Sequence, residues 1–217
     1  MNLKDNEEQH AVSRICEKKE RKRMRIATVN RTTKETDISV TINLDGTGNS
    51  EISTGIGFFD HMLEGFSKHG FFDLKCQVKG DLYVDGHHTV EDTGIVLGQA
   101  MAKAWGDKKG IRRYGSFILP MDDALALCAV DLCGRPYLNF ACDFPRSQVG
   151  GLDTELVREF FYAVSYSAGM NLHLKMLDGQ NTHHMIEAMF KAFAKALDMA
   201  VSPEPRVTDV LSTKGSL

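Results

Sequence analysis

The chain has 217 residues, 42% hydrophobic and 25% charged, with a formal net charge of -3. That length allows one large domain or two small ones around a real core, and that charge gives no reason to expect nucleic acid as a partner. There is no run of about 18 apolar residues to span a membrane, and the charged first 25 residues lack an apolar stretch of signal-peptide length, so the sequence reads as cytoplasmic.

Residues 1–24 form a charged extension, and its basic run from Lys18 to Arg25 reads as a solvated or frayed helix ahead of the domain. From residue 25 the chain reads as two copies of one unit, 25–110 and 111–201, followed by a tail over 202–217. In the first copy Ile38, Val40, Ile42 and Leu44 alternate with polar residues, the period of a half-buried strand. Phe58-Phe59-Asp60-His61-Met62-Leu63 then opens a helix that Gly70 is expected to end. A short alternating stretch from Phe72 to Lys79 follows, and His87-His88-Thr89-Val90-Glu91 begins a second helix with Ala100 and Ala104 further along it. The polar, Gly-containing stretch Asp107–Ile111 marks the boundary between copies.

In the second copy Ala124 to Leu132 is more continuously apolar, and Pro136 to Phe140 is expected to pair with it after the Cys133-Gly134 turn. Glu159-Phe160-Phe161-Tyr162 leads to Gly169, and Asn171 to Leu177 alternates. His183-His184-Met185-Ile186-Glu187 then returns, with Ala196 and Ala200 behind it. From Ser202, with Pro203 and Pro205, the tail reads as irregular. Each half is therefore strands, helix, strand, helix, which makes the chain an α+β protein. It is an internally duplicated unit with helices packed on one face of β-sheets. Such a symmetric repeat points to one pseudo-twofold unit with one function. The five cysteines form no CxxC pair and read as reduced thiols of a cytosolic protein.

A duplicated His-His-x-x-Glu is a metal signal. Adjacent histidines on a helix point about 100° apart, so they are better placed to serve two ions than one, while each Glu shares a helical face with the histidine pair before it. Four imidazoles and two carboxylates supply most of the protein ligands of two metals, and this mixed set suits Mn, Fe, Co, Ni or Zn better than Mg or Ca. His10, His69 and His173 read as surface or core residues with no ligand role. The motif alone leaves the reaction open: a hydrolase using metal-bound hydroxide and a metal-storage or metal-nucleated assembly protein are both compatible with it.

Longer segments narrow the choice. Gly55-Ile56-Gly57-Phe58-Phe59-Asp60-His61-Met62-Leu63, Asp85 to Asp92, Asn181 to Ala188, Ser212-Thr213-Lys214-Gly215 and Asn43 to Gly48 together resemble the ordered motifs of the imidazoleglycerol-phosphate dehydratase family, over about Arg25 to Leu217. The resemblance implies a duplicated unit of the ribosomal protein S5 domain 2-like type, with two Mn ions per active site. It also implies a homo-oligomer, an octahedral 24-mer cage with active sites at subunit interfaces. By position, the implied ligands are His61, His87, His88, Glu91, His183, His184 and Glu187, with Glu159 at a position where family members commonly carry His.

The implied reaction is loss of water from imidazole glycerol phosphate in histidine biosynthesis. The hydrogen removed sits on a carbon with no adjacent carbonyl, so the imidazole ring is the only electron sink. The expected course is therefore a metal-stabilised imidazolate and then a diazafulvene-like species. The base is Glu35, which matches an acidic position that the family places against substrate; equally, Glu35 holds a glycerol hydroxyl while a metal-bound water or one of the ligand carboxylates Glu91 and Glu187 moves the proton. Arg113, Arg135, Lys191, Ser212, Thr213 and Lys214 match positions on the substrate-phosphate side, and the tail is expected to order over bound phosphate.

Overall fold

The computed structural model describes residues 25–217; the charged extension over 1–24, with His10 and Cys16, lies outside the described residues. In chain order the first half contains β1 (Ile26–Thr32), β2 (Thr36–Asn43), β3 (Ser50–Ser53), α1 (Gly57–Gly70), β4 (Asp73–Gly80) and α2 (His87–Trp105). The second half contains β5 (Tyr114–Met121), β6 (Ala124–Asp131), β7 (Tyr137–Ala141), the two-residue strands β8 (Gln148–Val149) and β9 (Leu152–Asp153), α3 (Glu155–Ala168), β10 (Asn171–Asp178) and α4 (Thr182–Val201).

The two sheets have one topology. Strands run β1-β2-β4-β3 in the first and β5-β6-β10-β7 in the second, so the duplicated α+β unit expected from the sequence is observed. Alternation fixes which face is buried: Ile38, Val40 and Ile42 on β2, and Ala126, Cys128 and Val130 on β6, point into the core. Helix α2 covers β1 and β2, and α4 covers β5 and β6. The helical faces of the two halves then meet, α1 against α4 and α2 against α3. Phenylalanines fill that seam: Phe66 stacks on Phe193 at 5.4 Å, Phe160 on Phe190 at 5.2 Å, and Phe59 meets Phe160 edge-on at 5.3 Å.

Two local expectations are corrected. The segment containing Pro136 to Phe140 does not pair with the apolar strand before it. Both edges of β6 are taken by β5 and β10, so β7 pairs in parallel with β10, the connection passing through the crossover helix α3. At the end of α1 the left-handed residue is Phe71 (φ 58°), and Gly70 is still helical. Gly70 is needed there for space, since a Cβ would stand 2.4 Å from the Phe72 ring. Gly169 does end α3 in the left-handed conformation, with φ 65°. Cys76, Cys128 and Cys133 are buried free thiols and Cys142 is half-buried; burial pushes Cys76 and Cys142 up to about 12. Among the described residues no helix is long and apolar enough to cross a membrane.

Candidate active site

The helix starts position the histidines. At α4 the Asn181 side chain accepts the N–H groups of His183 and His184, capping the helix. At α2 the equivalent Asp85 carboxylate accepts the His87 N–H at 2.8 Å. In each pair the rings stand nearly perpendicular, at 90° for His87 and His88 and 80° for His183 and His184, so one imidazole follows the helix face and the other turns away.

The first histidine of each pair meets its own Glu one turn on. His183 Nε2 lies 3.2 Å from Glu187 Oε2, and His87 Nε2 lies 3.6 Å from Glu91 Oε2. Because α1 packs on α4, His61 joins the second pair, with Nε2 3.9 Å from Glu187 Oε2. The ligand atoms of His61, His183 and Glu187 all lie within 4.8 Å of one another, a set that could hold one metal ion. Glu187 is only 8% exposed. Burial pushes its carboxyl up, but the Lys191 ammonium bonded at 2.6 Å and the nearby His61 and His183 outweigh this and hold it below the ordinary carboxylate range.

The second histidine of each pair is held by an aspartate. The His88 Nδ1–H points at Asp81, 3.0 and 3.2 Å from its two oxygens, and the His184 Nδ1–H donates to Asp123 at 2.6 Å. A carboxylate can only accept, so the hydrogen sits on Nδ1, and in the neutral ring Nε2 keeps its lone pair. That is the arrangement of a metal-ligating imidazole, and the residues present therefore fit a borderline divalent ion. The bond from Asp81 raises the His88 pKa. Asp123, which also accepts the N–H groups of Asn181 and Gln180, is held far below the ordinary carboxylate range by those bonds and by His184. Glu35 faces the free side of His88, with Oε1 3.9 Å from Nε2. The buried Asp92 accepts from Arg31 and Thr36 and so seats the β1–β2 turn that carries Glu35.

The cations gather elsewhere. Arg113, Arg135, Ser212, Thr213 and Lys214 line one cavity of 660 Å³ with the rest of the tail. Arg113 is already engaged: Nε and Nη2 donate to Asp131 at 2.7 and 3.1 Å, Nη1 donates to the Leu211 carbonyl at 2.7 Å, and the guanidinium lies 4.6 Å over Tyr114. The Arg113 N–H bonds the Ala200 carbonyl at the far end of α4 from His183. At 1.5 Å per residue that is roughly 25 Å along the helix. Within one chain, then, the cation cavity and the imidazole cluster sit at opposite ends of α4, and Lys191 is the one expected cation beside the cluster. Glu159 accepts from Arg158 at 2.9 Å and stands outside the His61–His183–Glu187 set. His69 and His173 also stay outside it. Asp81 and Asp123 went unseen in the sequence; the offset between copies was the available signal, since Asp123 directly precedes β6 as Glu35 precedes β2.

Two sheets of one topology, each feeding a His-His-x-x-Glu helix, define a class: a duplicated α+β protein with paired imidazole–carboxylate clusters. The family model described as "Imidazoleglycerol-phosphate dehydratase" matches residues 54–197. A protein of that name from Lachnoclostridium phytofermentans is 66% identical over 193 residues, 89% of this chain and 98% of that protein. One from Acetivibrio thermocellus is 60% identical over 189 residues, 87% of this chain and 97% of that protein. The crystal structure of imidazoleglycerol-phosphate dehydratase from Staphylococcus aureus is 42% identical and matches with a TM-score of 0.75, over 82% of this chain and 99% of that one. The chain belongs to the imidazoleglycerol-phosphate dehydratase family, whose members are hydro-lyases.

Proposed function

We propose that this protein catalyses the metal-dependent dehydration of imidazole glycerol phosphate to imidazole acetol phosphate and water, in the cytoplasm, with two Mn ions per active site. The observation that carries the reading is the convergence of His61, His183 and Glu187, supported by a second His-His-x-x-Glu whose His88 is held at Nδ1 by Asp81. The residues that would hold the ions are His61, His87, His88, Glu91, His183, His184 and Glu187, with Glu159 as a further donor. When bound, such an ion lowers the pKa of an imidazole it touches, which supplies the electron sink that the substrate carbon lacks.

The chain's own groups do the remaining work. Glu35, 54% exposed at its side chain on the Nε2 side of His88, takes the carbon-bound proton. Glu91 and Glu187 hold His87 and His183 in line. Arg135, Lys214, Ser212 and Thr213 bind the phosphate, while Arg113, pinned to Asp131, fixes the tail through Leu211. A substrate of this size cannot bridge roughly 25 Å along α4. The imidazole cluster of one copy therefore works with the cation cavity of another, which makes the protein a homo-oligomer, in our reading a 24-mer. Glu159, outside the His61–His183–Glu187 set of its own chain, would join a cluster from another copy.

The test is to incubate purified protein with imidazole glycerol phosphate and Mn, following the ketone product and free phosphate together. Ketone without phosphate release is the expected result. Phosphate without ketone would mean a phosphate-ester hydrolase and overturn the reading.

A further inference from the structure

The two halves of the fold can be compared position by position, and at one position they differ. Strands β2 and β6 each run eight residues and start at Thr36 and Ala124, so Glu35 and Asp123 occupy the same place, the last residue of the preceding hairpin turn. Strands β4 and β10 are equivalent, although β10 shifts register between Met176 and Asp178; the residues that follow are Asp81 in the first half and Gly179-Gln180 in the second. His88 and His184 are equivalent second histidines.

In the second half the turn carboxylate does the orienting. Asp123 meets His184 Nδ1 at 2.6 Å, and its other oxygen accepts from Gln180 and Asn181 at 2.7 and 2.8 Å. Both of its oxygens are engaged. In the first half Nδ1 of His88 is taken by Asp81, whose side chain is 12% exposed, and Glu35 lies on the opposite edge of the ring. Glu35 is one methylene longer than Asp123, which carries its carboxylate past Nδ1 to the Nε2 side.

We propose that Asp81 is the positioning residue for His88, doing in the first half what Asp123 does in the second, and that this arrangement frees Glu35 to face substrate. The physical reason is that one carboxylate cannot serve both edges of an imidazole. Held at Nδ1, it fixes the ring for a ligand at Nε2 but cannot reach a proton on that far side. Neither Gly179 nor Gln180 after β10 carries a carboxylate. In the second half both carboxylates at the ring therefore come from the turn before β6, Asp123 at Nδ1 and Asp122 3.6 Å from Nε2. In the first half Asp81 supplies the one at Nδ1 and the turn supplies Glu35 on the Nε2 side. The role assigned to Glu35 rests on the proposed function, whereas the orienting role of Asp81 is read by metal binding alone.

The test measures Mn2+ binding to the full assembled protein from the EPR signal of free Mn2+, with the unfolding temperature of the metal-free protein as folding control. Asp81→Asn is expected to weaken Mn2+ binding about 10- to 100-fold and leave the metal-free unfolding temperature unchanged. Asp81→Gly, which makes the first half resemble the second, is expected to lose the same affinity. Adding Glu35→Asp to Asp81→Gly is then expected to recover most of it, because the shorter carboxylate can settle at Nδ1 as Asp123 does, while dehydration stays lost. Wild-type affinity in Asp81→Asn, or no recovery in the double variant, would overturn the assignment. So would a fall in metal-free unfolding temperature that matches the loss of affinity, which would make Asp81 a folding residue. If wild-type protein neither binds Mn2+ nor forms ketone, the proposed function falls and this inference with it. If wild-type protein does both and Asp81→Asn binds as well, only the role of Asp81 falls.

Discussion

Asp73 shows how much one side chain can organise away from the metal ligands. At the start of β4 its Oδ1 accepts the N–H groups of Thr47 and Asn49 at 2.9 and 3.0 Å, and its Oδ2 accepts from Asn43 at 3.2 Å. The loop from Asn43 to Asn49 is thus wrapped around a carboxylate, and Gly46 is required because a Cβ there would stand 2.4 Å from the Asp73 nitrogen. The bond from the Thr47 N–H, with those from Asn49 and Asn43, holds the Asp73 carboxyl below its ordinary 3.8 and outweighs its slight burial. A group whose pKa falls on folding stabilises the fold in full above its unfolded value and loses that contribution as pH drops through the folded one. Asp73→Asn is therefore expected to lower stability by about 1 kcal/mol at neutral pH. The gap in urea midpoint between variant and wild type should shrink as pH falls below 3.8. A gap of constant size through acid would show that charge is not what holds the loop.

The most extensive contact between elements is α2 on α3, and glycines permit it. A Cβ on Gly94 would lie 2.8 Å from the Phe160 carbonyl oxygen, and one on Gly98 would lie 2.7 Å from that of Val164. These glycines are one turn apart on α2, so together they form a groove for the α3 backbone. Alanine is the better helix former by about 1 kcal/mol, yet Gly94→Ala and Gly98→Ala are each expected to destabilise by about 1–3 kcal/mol through overpacking. Chemical denaturation checks the sign, and a stabilised variant would mean that the helices can separate freely. The sequence carries this seam only weakly, because small residues that let helices touch look like small residues anywhere. Period-2 alternation made β2, β4 and β10 legible, and the repeated His-His-x-x-Glu made α2 and α4 legible. The parallel pairing of β7 was not legible, since which edge is free depends on strands distant in sequence. Phe71 in the left-handed region was hidden by the glycine beside it. Asp81 and Asp123 were hidden because an isolated turn aspartate carries no local signal, and only the fold places it against an imidazole.

At the scale of the whole molecule, α4 keeps two halves of the proposed site apart. Its first two turns carry His183 and Glu187, and its last turn is bonded to Arg113 at the rim of the cation cavity, roughly 25 Å from His183 along the axis. A rigid, buried helix cannot fold back to close that distance, and the tail that lines the cavity is tied to the same end by the Leu211 carbonyl on Arg113. If phosphate and imidazole of one substrate are bound together, they are bound by different copies. Subunits defective at opposite ends should therefore complement each other. His183→Ala removes a cluster imidazole, and Arg135→Ala removes an exposed cavity cation; each variant alone is expected to be nearly inactive. Co-expressed, they should form mixed particles in which some sites draw an intact cluster from one copy and an intact cavity from another, so dehydration should return. Recovery that rises with the degree of subunit mixing would establish sites shared between copies. Mixed particles as inactive as either parent would place cluster and cavity in one chain, and would require α4 to do what its geometry forbids.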